Sequence, residues 1–254
     1  MTFNVRNIKF MNTNEQFKAV IFDLDGTLFD TLPSLSAAAN QVLANAGMCD
    51  VSMSLLRSAL NEGLRPMFRQ AIDLQSVPVD AVTASRLEIE YMAHYGRRWL
   101  STAPLFAGVT DALAALKSRG LKLGICTNRD PASTEVLLAA ATVADFFDAI
   151  VCLGDTPLPK PAADPLLLLM DRLGVLPAEV LYVGDSGLDA RCAQLSQVRF
   201  AAHLGGYAEQ TADLLPNVLS FDGYDQLISW ILGQRAALFP PVCFTSPRPI
   251  NHCP

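Results

Sequence analysis

The feature that most constrains this chain is a rhythm. Short apolar runs at residues 18–22, 121–126, 147–153, 180–183 and 198–202 are separated by segments with helical spacing. A brief apolar run bounded by turn residues reads as a strand buried on both faces. The patterns at 109–119 and 165–173 are closed by Gly120 and Gly174, and a glycine just past a periodic stretch is a helix stop. Strands alternating with helices dictate a parallel sheet covered on both faces, an α/β doubly wound, Rossmann-like architecture.

Between residues 32 and 104 the rhythm breaks. No strand-like run occurs there, and the spacing predicts helices at 33–46, 51–61, 65–73 and 79–100. An insertion directly after the first strand sits over that strand's C-terminal end, so we read it as an inserted α-helical cap domain. The division is then 17–31 and 105–237 for the core and 32–104 for the cap, with an N-terminal extension at 1–16 and an irregular, proline-rich tail at 238–254. Met11 would itself make a natural start, so the first ten residues read as an upstream extension.

Composition excludes several classes. With 51% hydrophobic residues a buried core is assured and disorder is not expected. The net charge is −6 with no basic run, so no nucleic-acid partner is expected. No stretch of 18 apolar residues and no signal-type segment occurs, so neither a membrane span nor export is expected, and a cytoplasmic location follows. Six cysteines form no CxxC pair and read as reduced, mostly buried thiols. His94, His203 and His252 are too dispersed to suggest a histidine metal site.

The chemistry-bearing residues cluster at run ends. The first run leads into Asp23-Leu24-Asp25-Gly26-Thr27. Alternate residues of an extended segment share a side, and two such carboxylates suit a hard cation with oxygen ligands, such as Mg²⁺. The second run ends at Thr127-Asn128, a hydroxyl and an amide able to hold phosphate oxygens. The fourth leads into Gly184-Asp185-Ser186, followed by Asp189. Lys160, one of only five lysines, lies between two prolines ahead of a helix, from which it can reach the same place. Doubly wound sheets bind ligands outside the carboxyl ends of their strands.

These four motifs resemble those of the haloacid dehalogenase-like phosphohydrolase superfamily. The resemblance runs from about residue 18 to 232, and the insertion is similar to that family's type I helical cap. The stretch from Phe22 to Ser34 is most similar to phosphoglycolate phosphatases, as is the stretch from Lys160 to Pro165. The resemblance implies a Mg²⁺-dependent phosphatase acting on a small phosphorylated metabolite, as a monomer or homodimer. It makes Asp23 the nucleophile that becomes an aspartyl-phosphate. A carboxylate, ionised at neutral pH, needs no activating base. It makes Asp25 the acid that protonates the leaving oxygen and then the base for hydrolysis. Asp23, Asp185 and the main-chain carbonyl of Asp25 would hold the metal. Gly26, Thr127, Asn128 and Lys160 would surround the phosphate, with Asp189 orienting Lys160 or a water.

Relatives with other chemistries are separated by single residues. Haloacid dehalogenases lack the second aspartate of the first motif, which is present here as Asp25. Phosphonoacetaldehyde hydrolases use a cap lysine, and no lysine occurs between 32 and 104. A β-phosphoglucomutase-like mutase or a pyrophosphatase shares all four motifs and stays open. A non-enzymatic regulatory domain is disfavoured because no motif residue is missing. Two departures stand out: a cap turn that reads Asn61-Glu62-Gly63 where Gly-x-Gly is usual, and Ser196-Gln197 where relatives carry Ala-Gly. Arg65 follows the cap turn and suits a carboxylate on the substrate, although a solvated helix-start arginine reads equally well. Asp30 is expected to cap or turn the chain. Cys126 is expected as a buried strand residue, and no contact is assigned to Arg129.

Overall fold

The computed structural model describes residues 17–60, 63–76, 78–96 and 100–233. The extension at 1–16, the tail at 238–254 and most of the Asn61-Glu62-Gly63 turn lie outside these residues.

Six parallel strands form one sheet in the order β3-β2-β1-β4-β5-β6. They are β1 (Ala19–Phe22), β2 (Lys122–Cys126), β3 (Ala149–Val151), β4 (Val180–Gly184), β5 (Arg199–His203) and β6 (Leu219–Phe221). The first five fall within the predicted runs, give or take a residue. The sequence pattern does not mark β6, a three-residue edge strand with one buried position. The chain builds outward from β1 to one side and then returns to build β4, β5 and β6 on the other. That reversal opens a crevice beside β1 at the strand ends, where ligands of such folds bind.

β1 shows why the centre is stable. Ala19-Val-Ile-Phe22 is fully buried, with Val20 and Phe22 packed into one apolar cluster and Ala19 and Ile21 into another. A strand whose two faces are both covered must be apolar at every position rather than alternating. Each large side chain buried this way contributes about 1.5–3 kcal/mol. The second cluster takes in α7 (Asp164–Leu173) and α8 (Gly187–Leu195). The first takes in α5 (Val109–Ser118), α6 (Pro131–Ala140) and α9 (Tyr224–Ile231). Helix ends follow local chemistry. Pro165 opens α7 and Gly174, with φ +62°, closes it, while Asp130 caps α6 by accepting from the Ser133 N–H at 3.0 Å.

Between β1 and α5 lie α1 (Leu32–Asn45), α2 (Met53–Leu60), α3 (Leu64–Asp73) and α4 (Ala81–His94), then a short 3₁₀ turn at Leu100–Thr102. The last predicted helix starts two residues later than expected because Asp80 caps α4, accepting from the Val82 and Thr83 N–H groups. Leu35, Val42, Phe68 and Tyr91 of these helices belong to the same apolar cluster as the first sheet face. The insertion therefore shares a core with the sheet in this structure. Among the described residues, no helix is long and apolar enough to cross a membrane.

Candidate active site

Four segments converge at the carboxyl ends of β1, β2 and β4. Asp23 follows β1, and its N–H donates to the Val183 carbonyl at 2.8 Å, which sets it beside the end of β4. Its carboxylate accepts from Lys160 Nζ at 2.6 Å. The same ammonium donates to Asp189 Oδ1 at 2.7 Å and to Tyr182 Oη at 3.1 Å. Lys160 arrives from a loop, as expected, and Asn128 fixes that loop. The Asn128 amide donates to the Lys160 carbonyl and accepts from the Lys160 N–H, both at 3.0 Å. The Asn128 side chain thereby fixes the Lys160 loop, while Asn128 also lines the cavity above the strand ends.

Asp189 divides its two oxygens between two tasks. Oδ1 takes Lys160 and the Tyr182 hydroxyl, at 2.7 and 2.6 Å. Oδ2 accepts from Ser186 N at 3.1 Å and Ser186 Oγ at 2.6 Å, half of a capping box that starts α8. The helix start and the lysine's orientation thus depend on one carboxylate. Asp185 is held by Thr27 Oγ1 and the Tyr207 N–H, each at 2.7 Å.

Gly26 sits in the turn after Asp25. Its N–H donates to Phe29 within the turn at 2.8 Å, and its carbonyl accepts from His203 Nδ1 at 2.9 Å. It has no main-chain donor left for phosphate. Its value is steric: its φ is +79°, and a Cβ there would lie 2.2 Å from Asp185 Oδ2. Only glycine lets the turn and Asp185 occupy this space.

The electrostatics follow from burial. Carboxylate oxygens of Asp23, Asp185 and Asp189 lie within 4.8 Å of one another. Burial raises the Asp23 carboxyl well above its usual range, and Lys160 does not undo this against Asp189 and Asp185. Burial and Asp189 push Asp185 up to about 7. For Asp189 the balance reverses: burial raises it, but Lys160 with the hydroxyls of Ser186 and Tyr182 outweighs that and holds it below its usual range. Lys160 stays charged because its two carboxylate partners exceed the cost of burial. Three carboxylates share one ammonium, so they cannot all stay ionised without further positive charge, and Asp23 and Asp185 hold their protons to higher pH. Buried oxygen ligands with excess negative charge suit a hard divalent cation, so these residues fit the Mg²⁺ that the motifs imply.

Asp25 stands apart from that cluster. Its carboxylate takes a two-point contact from Arg129, Nε at 3.0 Å and Nη2 at 2.5 Å. Burial raises Asp25, but the guanidinium outweighs it and holds the carboxyl below its usual range. Arg129, to which the sequence reading assigned no contact, is thus part of the site. Thr127 is buried and accepts from the Arg129 N–H at 3.1 Å. Asp30 does not cap α1. Its carboxylate accepts from the Tyr207 hydroxyl at 3.0 Å, and the same hydroxyl accepts from the Leu32 N–H at 2.9 Å. Arg57 of α2 donates to the carbonyls of Gly206, Tyr207 and Ala208. The loop after β5 therefore joins the sheet, Asp185 and the inserted helices. Its Gly205-Gly206-Tyr207 sequence, glycines after a strand run, was the available signal. Tyr182 carried none, being one apolar-looking position in a strand.

A cavity of about 730 Å³ covers these groups. Asp23, Asp25, Lys160 and Asp185 line it from the strand ends; Leu60, Leu64, Arg65 and Met92 line it from the inserted helices. Arg65 is exposed there. Cys126 ends β2 fully buried, as expected. Cys126, Cys152 and Cys192 are buried free thiols and Cys49 is exposed.

Comparison with known proteins agrees with this geometry. The sequence profile of the family described as haloacid dehalogenase-like hydrolase matches residues 20–203. The phosphoglycolate phosphatase of Rhodospirillum rubrum is 33% identical over 220 residues, covering 84% of this chain and 90% of that protein. That of Cereibacter sphaeroides is 30% identical over 208 residues, covering 82% and 94%. In fold, the chain is similar to a predicted phosphoglycolate phosphatase from Haemophilus somnus 129pt, with TM-score 0.78 at 24% identity over 86% of this chain and 98% of that one. It is also similar to CbbY from Rhodobacter sphaeroides, solved in complex with phosphate, with TM-score 0.70 at 21% identity over 84% and 96%. The chain belongs to the haloacid dehalogenase-like hydrolase family, as a phosphoric monoester hydrolase similar to phosphoglycolate phosphatases.

Proposed function

We propose that the protein hydrolyses a small phosphomonoester metabolite through a phosphorylated Asp23. The observation that carries this reading is the Lys160 ammonium held between Asp23 and Asp189, at 2.6 and 2.7 Å, beside buried Asp185. An anionic nucleophile must approach an anionic phosphate, and Lys160 offsets that repulsion while remaining fixed by Asp189 and Asn128. Asp23 and Asp185, with the Asp25 carbonyl, would hold Mg²⁺. Bound there, the ion supplies further charge neutralisation on the phosphoryl oxygens.

In the first step a bond forms from an Asp23 carboxylate oxygen to phosphorus and the bond from phosphorus to the ester oxygen breaks. Asp25, held ionised by Arg129 in the substrate-free protein, must first take up a proton, which the negative charge of a bound phosphate ester favours; it then gives that proton to the departing oxygen. In the second step Asp25 takes a proton from water as the water oxygen bonds to phosphorus, and Asp23 leaves as a carboxylate with release of inorganic phosphate. The hydroxyl of Thr127, buried beside Asp23 at the strand ends, would donate to a phosphoryl oxygen. The helices of 32–104 act in this reading as a cap over the core of 17–31 and 105–237, excluding bulk water from the intermediate. A cytoplasmic setting is part of the same proposal, supported by the buried free thiols.

The experiment is a turnover screen over a panel of phosphate monoesters, with Mg²⁺ and with EDTA. Phosphate release with Mg²⁺, abolished by EDTA and restored by added Mg²⁺, is expected. Full activity in EDTA would refute the metal assignment.

A further inference from the structure

Arg129 is the one member of the site whose bonding is incomplete. It is 5% exposed, among the most buried charged side chains described. Its main chain is fixed at both ends: its N–H donates to Thr127 Oγ1, and its carbonyl accepts from the Leu153 N–H at 2.9 Å. Nε and Nη2 are committed to Asp25, and Nη2 also donates to the Tyr95 hydroxyl at 3.3 Å. The guanidinium carbon lies 5.7 Å from the centre of the Tyr95 ring. Nη1 is buried with no partner, and only Tyr91 Oη shares that condition among the described side chains. A buried N–H without an acceptor is costly, and such a group in a folded protein calls for an explanation.

The position supplies one. Arg129 lines the main cavity and also a smaller adjoining one of about 280 Å³, both bordered by Leu64 and Met92. In the phosphatase reading, on which this inference rests, the ester oxygen of the substrate lies within hydrogen-bond reach of Asp25. Asp25 is itself 2.5 Å from Nη2. A substituent one or two carbons beyond the ester oxygen therefore arrives at the guanidinium. The fork that faces Asp25 is occupied, so the donor left for that substituent is Nη1, which is closed off from solvent in the substrate-free protein and must be uncovered by a shift of the side chains around it.

We propose that Arg129 is the specificity-determining residue of the site, and that its Nη1 receives a carboxylate borne by the leaving group one or two carbons from the phosphate ester. The ion pair with Asp25 anchors the guanidinium, so once Nη1 is uncovered little side-chain freedom is left to lose on binding. A guanidinium suits this because its two edges can serve two carboxylates at once. Arg65 lies exposed on the helix side of the cavity, where solvent screens its charge, and contributes less.

The test is a set of KM and kcat values with Mg²⁺ for 2-phosphoglycolate, ethyl phosphate and p-nitrophenyl phosphate. The first carries the carboxylate, and the other two do not. For the unmodified protein, kcat/KM for 2-phosphoglycolate should exceed that for ethyl phosphate by at least about tenfold, the scale of one charge-assisted contact. Arg129→Lys keeps a cation beside Asp25 but removes Nη1. It should raise KM for 2-phosphoglycolate about ten- to a hundredfold while moving KM for the other two esters less than about threefold. A loss of kcat common to all three esters is expected, because Asp25 is held less firmly. Competitive inhibition of the unmodified protein by 3-phosphonopropionate should be stronger than by propylphosphonate by about tenfold, and this needs no variant to fold. Equal KM changes on all esters, no KM change, or an unmodified protein blind to the carboxylate would each overturn the proposal. Absence of turnover on every ester by the unmodified protein would overturn the phosphatase reading, and this inference with it. Turnover without carboxylate preference overturns the inference alone.

Discussion

The two sides of the cavity are built on different physics. On the strand side, Lys160, Asp185 and Asp189 each have at least two hydrogen-bond partners within the protein, and all three are buried. Replacing one member leaves its partners desolvated and unpaired, so each substitution costs more than its own contacts. On the helix side, Leu60, Leu64 and Met92 present apolar surface and Arg65 is exposed. Apolar positions of this kind accept other apolar residues at small cost. The strand side can therefore serve every phosphate ester, and the helix side can change without disturbing it. Arg129 is the exception, since it rises from the strand side yet touches Tyr95 just past the end of α4.

The largest effect that would break this contrast is at Asp23. Asp23→Asn keeps the shape but removes the nucleophile's charge, and turnover of p-nitrophenyl phosphate should fall by several orders of magnitude. Retention of a tenth of the activity would show that the strand side does not carry the chemistry. At Arg65 a small effect is expected. An exposed ion pair contributes about 0.2–1 kcal/mol, so Arg65→Ala should lower kcat/KM for a carboxylated ester by no more than about fivefold. A loss as large as that predicted for Arg129→Lys would place discrimination on the helices instead.

The smallest effect sharpens the charge argument. With Asp185 pushed up to about 7, the folded, metal-free protein keeps a proton there that the unfolded chain releases in the ordinary aspartate range. The folded state then binds more protons, so stability contributed by this group falls as pH rises towards 7 and changes no further above it. Buried His203, whose ionisation is pushed down by burial, tilts the other way as pH rises. The comparison is therefore between the unmodified protein and Asp185→Asn in EDTA, by thermal unfolding at pH 5 and pH 8. The unmodified protein should lose a few degrees more across that interval, and added Mg²⁺ should remove the excess loss. Parallel pH dependences would show that Asp185 is not strained by its neighbours.

The motif aspartates and Lys160 were legible because strand ends are legible. A short apolar run followed by acids or glycine marks where a buried backbone meets solvent, and the fold rule then gathers those points at one sheet edge. The capping box at Ser186-x-x-Asp189 came to light only in the structure. Arg129 followed Asn128 in plain view, but nothing local distinguishes a solvated arginine from one buried against Asp25. The same holds for Asn128 and Gly26, whose types suit phosphate but whose observed contacts go elsewhere, the Asn128 amide to the Lys160 loop and the Gly26 N–H to Phe29.

What the sequence determined by itself was the parallel sheet, the position of the helical insertion and the chemical types at the strand ends, because these rest on periodicity and chain connectivity. Only the tertiary structure decided which donor met which acceptor. Tyr207 reaches Asp30 and Asp185 from the loop after β5, His203 holds the Gly26 carbonyl, and Arg129 spends two nitrogens on Asp25 and leaves Nη1 over. A hydrogen bond between residues more than a hundred positions apart leaves no local trace, since its partners are chosen by packing that the whole chain must complete first.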